Sequence, residues 1–320
     1  MAKPTDRKQP VRMMIAGVLA WIVAIVFALK FGATGGSDPE IVAQIRLPRV
    51  ILASAVGMGL SVAGATLQAL FANPLCEPYT LGISSGAALG AVIGVALGLE
   101  MSMAGLAGSA FLGALVFAFV LYLIASRTRS ASMSLLLAGV VMGFFGSSLV
   151  ALWMALADSS GVQGAMLWLM GDLSRARPGG SVFTFTAVLI LALMVWSRWR
   201  ALDAFLMGED TAGSLGVSVS AVRRRLVIIL SLLIGLCVSA AGMIGFVGLV
   251  VPHFARRQCG SVHLGLLPAC AVWGAAVLVL ADLVARVAAR PYELPVGVVT
   301  ALVGTPLFMW MILRRGRDVT

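Results

Sequence analysis

The sequence predicts an all-α polytopic membrane protein, and three observations carry the prediction. Hydrophobic residues make up 60% of the 320-residue chain and charged residues 11%, whereas soluble domains carry about a quarter charged. The mean hydropathy is +1.03. The basic residues, in excess by +10, sit in short clusters between long apolar runs instead of forming a stripe interleaved with aromatics. That distribution argues against nucleic-acid binding and is the pattern of cytoplasmic loops. The chain is read as one transmembrane domain, 1–320.

The first apolar run, 13–29, follows Lys3, Arg7, Lys8 and Arg12 and has the outline of a signal peptide. It is long enough to cross, no small-x-small cleavage pattern closes it and more spans follow, so it reads as a retained first helix. Further apolar runs cover 48–71, 81–98, 103–125, 133–157, 181–199, 226–242, 246–255, 266–288 and 295–313, each bounded by Gly, Pro or charge. A crossing needs about 20 residues, so the eighth run, about half that, is a candidate re-entrant segment. Parity favours counting it. Ten spans put both basic termini on one side, whereas nine would expel Arg314, Arg315 and Arg317 against the positive-inside bias.

With both termini cytoplasmic, Arg127, Arg129, Arg198, Arg200, Arg223, Arg224, Arg225, Arg256 and Arg257 fall inside. The outer side keeps Lys30, Arg46, Arg49, Arg175, Arg177, Arg286 and Arg290. Arg46 and Arg49 flank Pro48 at the expected start of the second helix, where proline suits the first turn. Two readings of these outer cations stand: they snorkel to lipid phosphates, or they meet an acidic partner.

The third span carries Gly82, Gly86, Gly90, Gly94 and Gly98 at a strict spacing of four, which puts them on one ridge where a neighbouring backbone can approach. Before it, Asn73-Pro74-Leu75-Cys76-Glu77-Pro78 reads as a compact inner turn. Between the fifth and sixth spans a short outer helix is expected over 165–173, with Trp168 and Met170 as interfacial anchors. The longest inner loop is Leu206–Val219, LMGEDTAGSLGVSV. Its acids Glu209 and Asp210 lie among flanking arginines, and it predicts two short helical pieces broken at Gly213 and Gly216. Position alone marks it as a handle for another protein.

Lysine occurs only at positions 3, 8 and 30, so the body of the chain holds no G-x-x-x-x-G-K-[ST] phosphate loop, and ATP-driven work would need a partner. The four cysteines show no C-x-x-C spacing, and neither a disulfide framework nor a zinc site is indicated. With two histidines and no H-E-x-x-H, no catalytic constellation is present. A proton-coupled carrier should show ionisable groups within its spans. The clearest is Asp282, one turn before Arg286, a spacing at which the two can neutralise each other. His253, after Pro252, fits either satisfaction by backbone carbonyls or a transient contact with a metal chelate.

Seven ordered stretches carry a family resemblance: RLPRVILASAVGMGLSVAGATLQALFANPL at 46–75, LGISSGAALGA at 81–91, LLLAGV at 135–140, WLMGDL at 168–173, LMGEDTAGSLGVSV at 206–219, GFVGLVVPHFAR at 245–256, and ADLVAR with ELPVGVVTALVGTPLFMWMI at 281–286 and 293–312. They resemble the FecCD-type permease subunits of ABC importers for iron-siderophore complexes, haem and cobalamin. The resemblance implies a type II importer permease in the bacterial cytoplasmic (inner) membrane, paired with an identical or related second permease. It also implies two ATPase subunits, which carry ATP and Mg, a periplasmic substrate-binding protein, and a metal-chelate cargo moved by alternating access. No cofactor or metal is expected on this chain. An iron-siderophore is the expected cargo, with haem or cobalamin as alternatives; an ion-coupled secondary carrier is the reading from another class.

The resemblance also assigns residues. Arg46, Arg49 and Arg286 correspond to arginines that meet acidic residues of the binding protein. Segment 206–219, with Met207, Gly208, Glu209, Asp210, Ala212, Leu215 and Gly216, corresponds to the piece that couples to the ATPase. The path is expected along the fifth and tenth helices with parts of the third and eighth, giving Gly139, Met142, Phe144, Ser147, Ser148 and His253 as wall residues.

Overall fold

The computed structural model describes residues 9–32, 38–99, 103–127 and 132–317, which are helical apart from turns and connections. Lys3, Arg7, Lys8 and Arg129 of the charge argument lie outside them. In chain order the helices are α1 (Gln9–Lys30), α2 (Pro39–Ile41), α3 (Leu47–Leu70), α4 (Ile83–Ala96), α5 (Met103–Arg127), α6 (Ser132–Leu156) and α7 (Ser159–Leu169). There follow α8 (Pro178–Trp196), α9 (Trp199–Phe205), α10 (Glu209–Ser214), α11 (Val219–Ala241), α12 (Val247–Cys259), α13 (His263–Val287) and α14 (Val296–Arg317). Among the described residues seven helices are long and apolar enough to cross a membrane, with α4 and α14 as shorter apolar helices.

The molecule is built around α3, whose residues from Pro48 to Leu70 are almost all buried. Helices α13, α8, α12 and α11 pack around it. Lipid tails are as apolar as leucine, so close backbone approach has to supply much of the attraction between such helices. Small residues make that approach possible here. A Cβ at Gly57 would overlap the Gly274 carbonyl of α13, and one at Gly64 would overlap the Gly248 carbonyl of α12. The glycine ridge of α4 does the same job against α5, where Gly86 and Gly90 face Gly113, and Gly90 and Gly94 face Ser109.

Two helices are short because they start part-way across. After Leu70 the chain turns back through Ala72, at φ 47°, into a 3₁₀ turn, Pro78–Leu81. The site of a Gly248 Cβ lies 2.5 Å from Pro78 Cδ and 2.8 Å from the Leu60 carbonyl. The turn therefore sits at the depth of Leu60, about 15 Å from the end of α3. Helix α4 departs from this level with Gly82 as a left-handed cap, φ 71°, and α12 begins there at Phe246, φ 68°. Non-helical backbone at membrane depth is tolerated where protein surrounds it, which this packing provides.

Three local expectations change. The outer helix is α7, 159–169, and not 165–173: Gly171, at φ 82°, ends it, and the Asp172 N–H donates to the Ala241 carbonyl at 2.9 Å. Its polar first half, Ser-Ser-Gly-Val-Gln-Gly, carried no apolar period to mark it. Pro48 does not start a span. A π-turn, Val42–Arg46, joins α2 to α3 in one 32-residue helix, Pro39–Leu70, and a widened turn next to Pro48 can take its ring and missing N–H. The inner loop breaks at Gly208 and Gly216, with φ of 96° and 83°, while Gly213 lies inside α10.

Candidate coupling, docking and pathway sites

Segment 206–219 stands out from the helical body. Ala212 anchors α10 by burial, whereas Met207 and Leu215 are 69% and 64% exposed and Leu206 is also exposed. The left-handed Gly208 and Gly216 bracket α10, and nothing lies within 4 Å of where their Cβ atoms would be. Glu209 pairs with Arg223 of α11, which ties the base of the segment to the body, while Asp210 stays exposed.

Just before the segment, Asp203 of α9 accepts the backbone N–H of His263 at 2.9 Å and meets its Nδ1 at 2.6 Å. An acid at the first N–H groups of α13 suits both the unpaired donors and the dipole there. Sixty residues separate the pair, so no sequence spacing announced it.

The end of the molecule opposite segment 206–219 holds a buried ionic network. Asp282, 1% exposed, accepts Arg49 Nε on one oxygen at 2.8 Å, and its other oxygen forms an ion pair with Arg286 Nε at 3.0 Å. Arg49 Nη1 reaches Glu293 at 2.7 Å. The remaining donors close the end of α1: Arg46 Nη1 donates to the carbonyls of Leu29 (2.8 Å) and Lys30 (3.1 Å). Arg286 Nη1 donates to that of Ala28 (3.2 Å), and Arg290 to that of Gly32. Guanidinium groups at a helix C-terminus satisfy orphan carbonyls and oppose the dipole.

The spacing-based pairing of Asp282 with Arg286 is present, and Arg49 and Glu293 were its unseen members. The three docking residues that the resemblance implies sit in or beside this network. Arg46, Arg49 and Arg286 are 3%, 6% and 3% exposed, because the continuous helix through the π-turn carries the first two inward. The exposed outer cations are Lys30, Arg177 and Arg290, and Arg175 lies 3.5 Å from Asp172.

Of the expected path residues, Phe144, Ser147 and Ser148 are exposed on α6, and Ser147 lies 3.5 Å from Ser85 of α4. Met142 is half-buried over Gly82, and Gly139 is a packing residue: a Cβ there would come 2.7 Å from the Thr80 carbonyl. His253 is half-buried, edge-on to Phe308 of α14 at 6.1 Å. It lines a cavity of about 520 Å³ with Gln68, Leu206, Arg256, Arg257 and Ser261.

Gln68 donates to the carbonyl of Cys76 and accepts from Arg256, tethering the returning loop to α12. Beside it, the Glu77 carboxylate accepts the Phe246 N–H. Glu77 thus caps α12 at the middle of the molecule, a role no local motif signalled.

Residues 10–314 match the family described as the FecCD transport family. The chain is 39% identical over 299 residues to the vitamin B12 import system permease protein BtuC of Vibrio cholerae, covering 93% of this chain and 90% of that one. It is 37% identical over 276 residues to the hemin transport system permease protein HmuU of Yersinia pestis, covering 85% and 83%. Its fold matches a solved metal-chelate type ABC transporter in an inward-facing conformation with a TM-score of 0.87 and 30% identity, covering 95% and 99%.

Proposed function

The chain belongs to the FecCD transport family, and from that premise we propose that it is the membrane-spanning permease of an ATP-driven importer that carries a metal chelate inward. Ten crossings with both termini cytoplasmic agree with the seven long helices together with α4, α12 and α14. A second permease, two ATPase subunits and a binding protein complete the proposed assembly, in the inner membrane of a bacterium. The chelate is of the class that includes ferric siderophores, haem and cobalamin. The relatives named for haem and vitamin B12 support the tetrapyrrole-type members, and the ferric siderophore rests on the breadth of the family.

The observation that carries this reading is segment 206–219. Exposed Leu206, Met207 and Leu215 form an apolar surface in water beside two conformationally committed glycines, on a chain without a phosphate loop. Burying that surface on another protein is favourable by about 25 cal/mol per Å². Rigid left-handed hinges can pass a push from that protein to α11 without dissipating it in the loop.

The experiment is a cysteine placed at Leu215 and tested for cross-linking to the co-expressed ATPase, paired with Gly216→Val. A β-branched residue at φ 83° is strained, so the variant should assemble and hydrolyse ATP but lose most transport. No cross-link at Leu215, or normal transport by Gly216→Val, contradicts the coupling role.

A further inference from the structure

Between α12, α13 and α14 runs an apolar groove of about 580 Å³. Phe254, packed edge-on against Trp273 at 5.3 Å, lines it together with Val284, Val303 and Leu307. Along α12 it extends from Phe246 to Gln258, twelve residues or about 18 Å. One leaflet of hydrocarbon is about 15 Å deep. The charge in the lining is confined to one end, where Arg257 stands exposed. Arg257 also borders the cavity that Leu206 lines, so this end is the one that carries the coupling segment.

We propose that the groove holds an acyl chain of an anionic glycerophospholipid of the cytoplasmic leaflet, with the phosphate at Arg257. A long apolar slot with a cation at its water-facing mouth complements an amphiphile with one apolar tail and an anionic head. Inner-leaflet anionic lipids are attracted to cations at that level. A second permease copy has a different face to meet. At 100° per residue, α14 sets Val299, Val303, Leu307 and Trp310 toward the groove and Leu302, Thr305 and Met309 on a second face about 120° away, where all three are exposed. The inference rests on the membrane topology and is independent of cargo and ATPase.

Trp310 and Trp273 line the groove and supply the readout. The full chain in nanodiscs is titrated with phospholipids brominated on the acyl chain, and the Trp310 signal is taken as the difference between the unaltered protein and Trp310→Phe. Phosphatidylglycerol should quench this signal at about one-fifth the mole fraction that phosphatidylcholine needs, the factor one interfacial cation supplies. Arg257→Gln should remove the preference and leave quenching in place. Val303→Phe, which fills the groove, should weaken quenching by both lipids. Equal quenching by the two lipids, a preference that survives Arg257→Gln, or quenching indifferent to Val303→Phe overturns the proposal. So does the absence of quenching by either lipid, the result expected if a second copy occupied the groove.

Discussion

Asp282 is the residue on which the outer end depends. It neutralises Arg49 and Arg286 while itself 1% exposed, and removing one member of a buried ionic set strands the others without solvent. Asp282→Asn should therefore destabilise the chain by about 3–5 kcal/mol, read as a lowered unfolding temperature in detergent. Glu293→Gln, on a partner about a third exposed, should cost no more than about 1 kcal/mol. Similar losses in both would mean that the network is not the keystone described.

Beside the buried Arg46, Arg49 and Arg286 that the resemblance implies for docking, we propose that the exposed Arg177 and Arg290 also meet the binding protein. Arg177→Glu and Arg290→Glu, on exposed side chains, should weaken association with the binding protein most at low salt, where screening is least. Insensitivity to salt would count against them. At this scale the sequence disclosed the Asp282–Arg286 pair, because four residues on a helix are neighbours. It could not disclose Arg49, 233 positions away, or the cap that Glu77 makes on α12.

Helices were legible because each crossing needs a long apolar run, and of the five glycines spaced by four, Gly86, Gly90 and Gly94 form the expected ridge on α4, whereas Gly82 and Gly98 lie beyond its ends at positive φ. Which residues end a helix depended on tertiary contacts instead. Gly208, Gly213 and Gly216 look alike in sequence, but only the first and last adopt positive φ. Helix α7 begins in a stretch too polar to read, and α4 and α12 start at a depth that only the returning loop explains.

Glycines that permit helix contact and glycines that do not can be told apart by substitution. Gly64→Ala should force α3 off Gly248 and lower stability by roughly 1–3 kcal/mol. Gly108→Ala, with open space at its Cβ in α5, should be neutral or stabilising by up to about 1 kcal/mol. Equal behaviour in thermal unfolding would contradict packing around α3 by backbone approach.

Taken whole, the molecule has a buried centre, α3 with the helices packed around it, and exposed segments at its margins. Segment 206–219, the proposed coupling segment, hangs from α9 and α11, with α9 fastened to α13 through Asp203 and His263. Helix α13 runs from that fastening to the Asp282 network at the outer end, and α6 and α14 keep apolar faces exposed. Such faces suit a second permease and a path between the two. Neither a nucleotide site nor a chain of unpaired acids was written into the sequence; Asp282 is paired with Arg49 and Arg286, and Glu77 accepts the Phe246 N–H.

The central claim is that the energy for transport enters from a separate ATPase through 206–219. The direct measurement is uptake of a radiolabelled metal chelate, presented by its binding protein, into proteoliposomes that contain this chain with or without the ATPase. Uptake that requires both the ATPase and ATP on its side of the membrane is the predicted result. Accumulation by the chain alone under a proton gradient would contradict it.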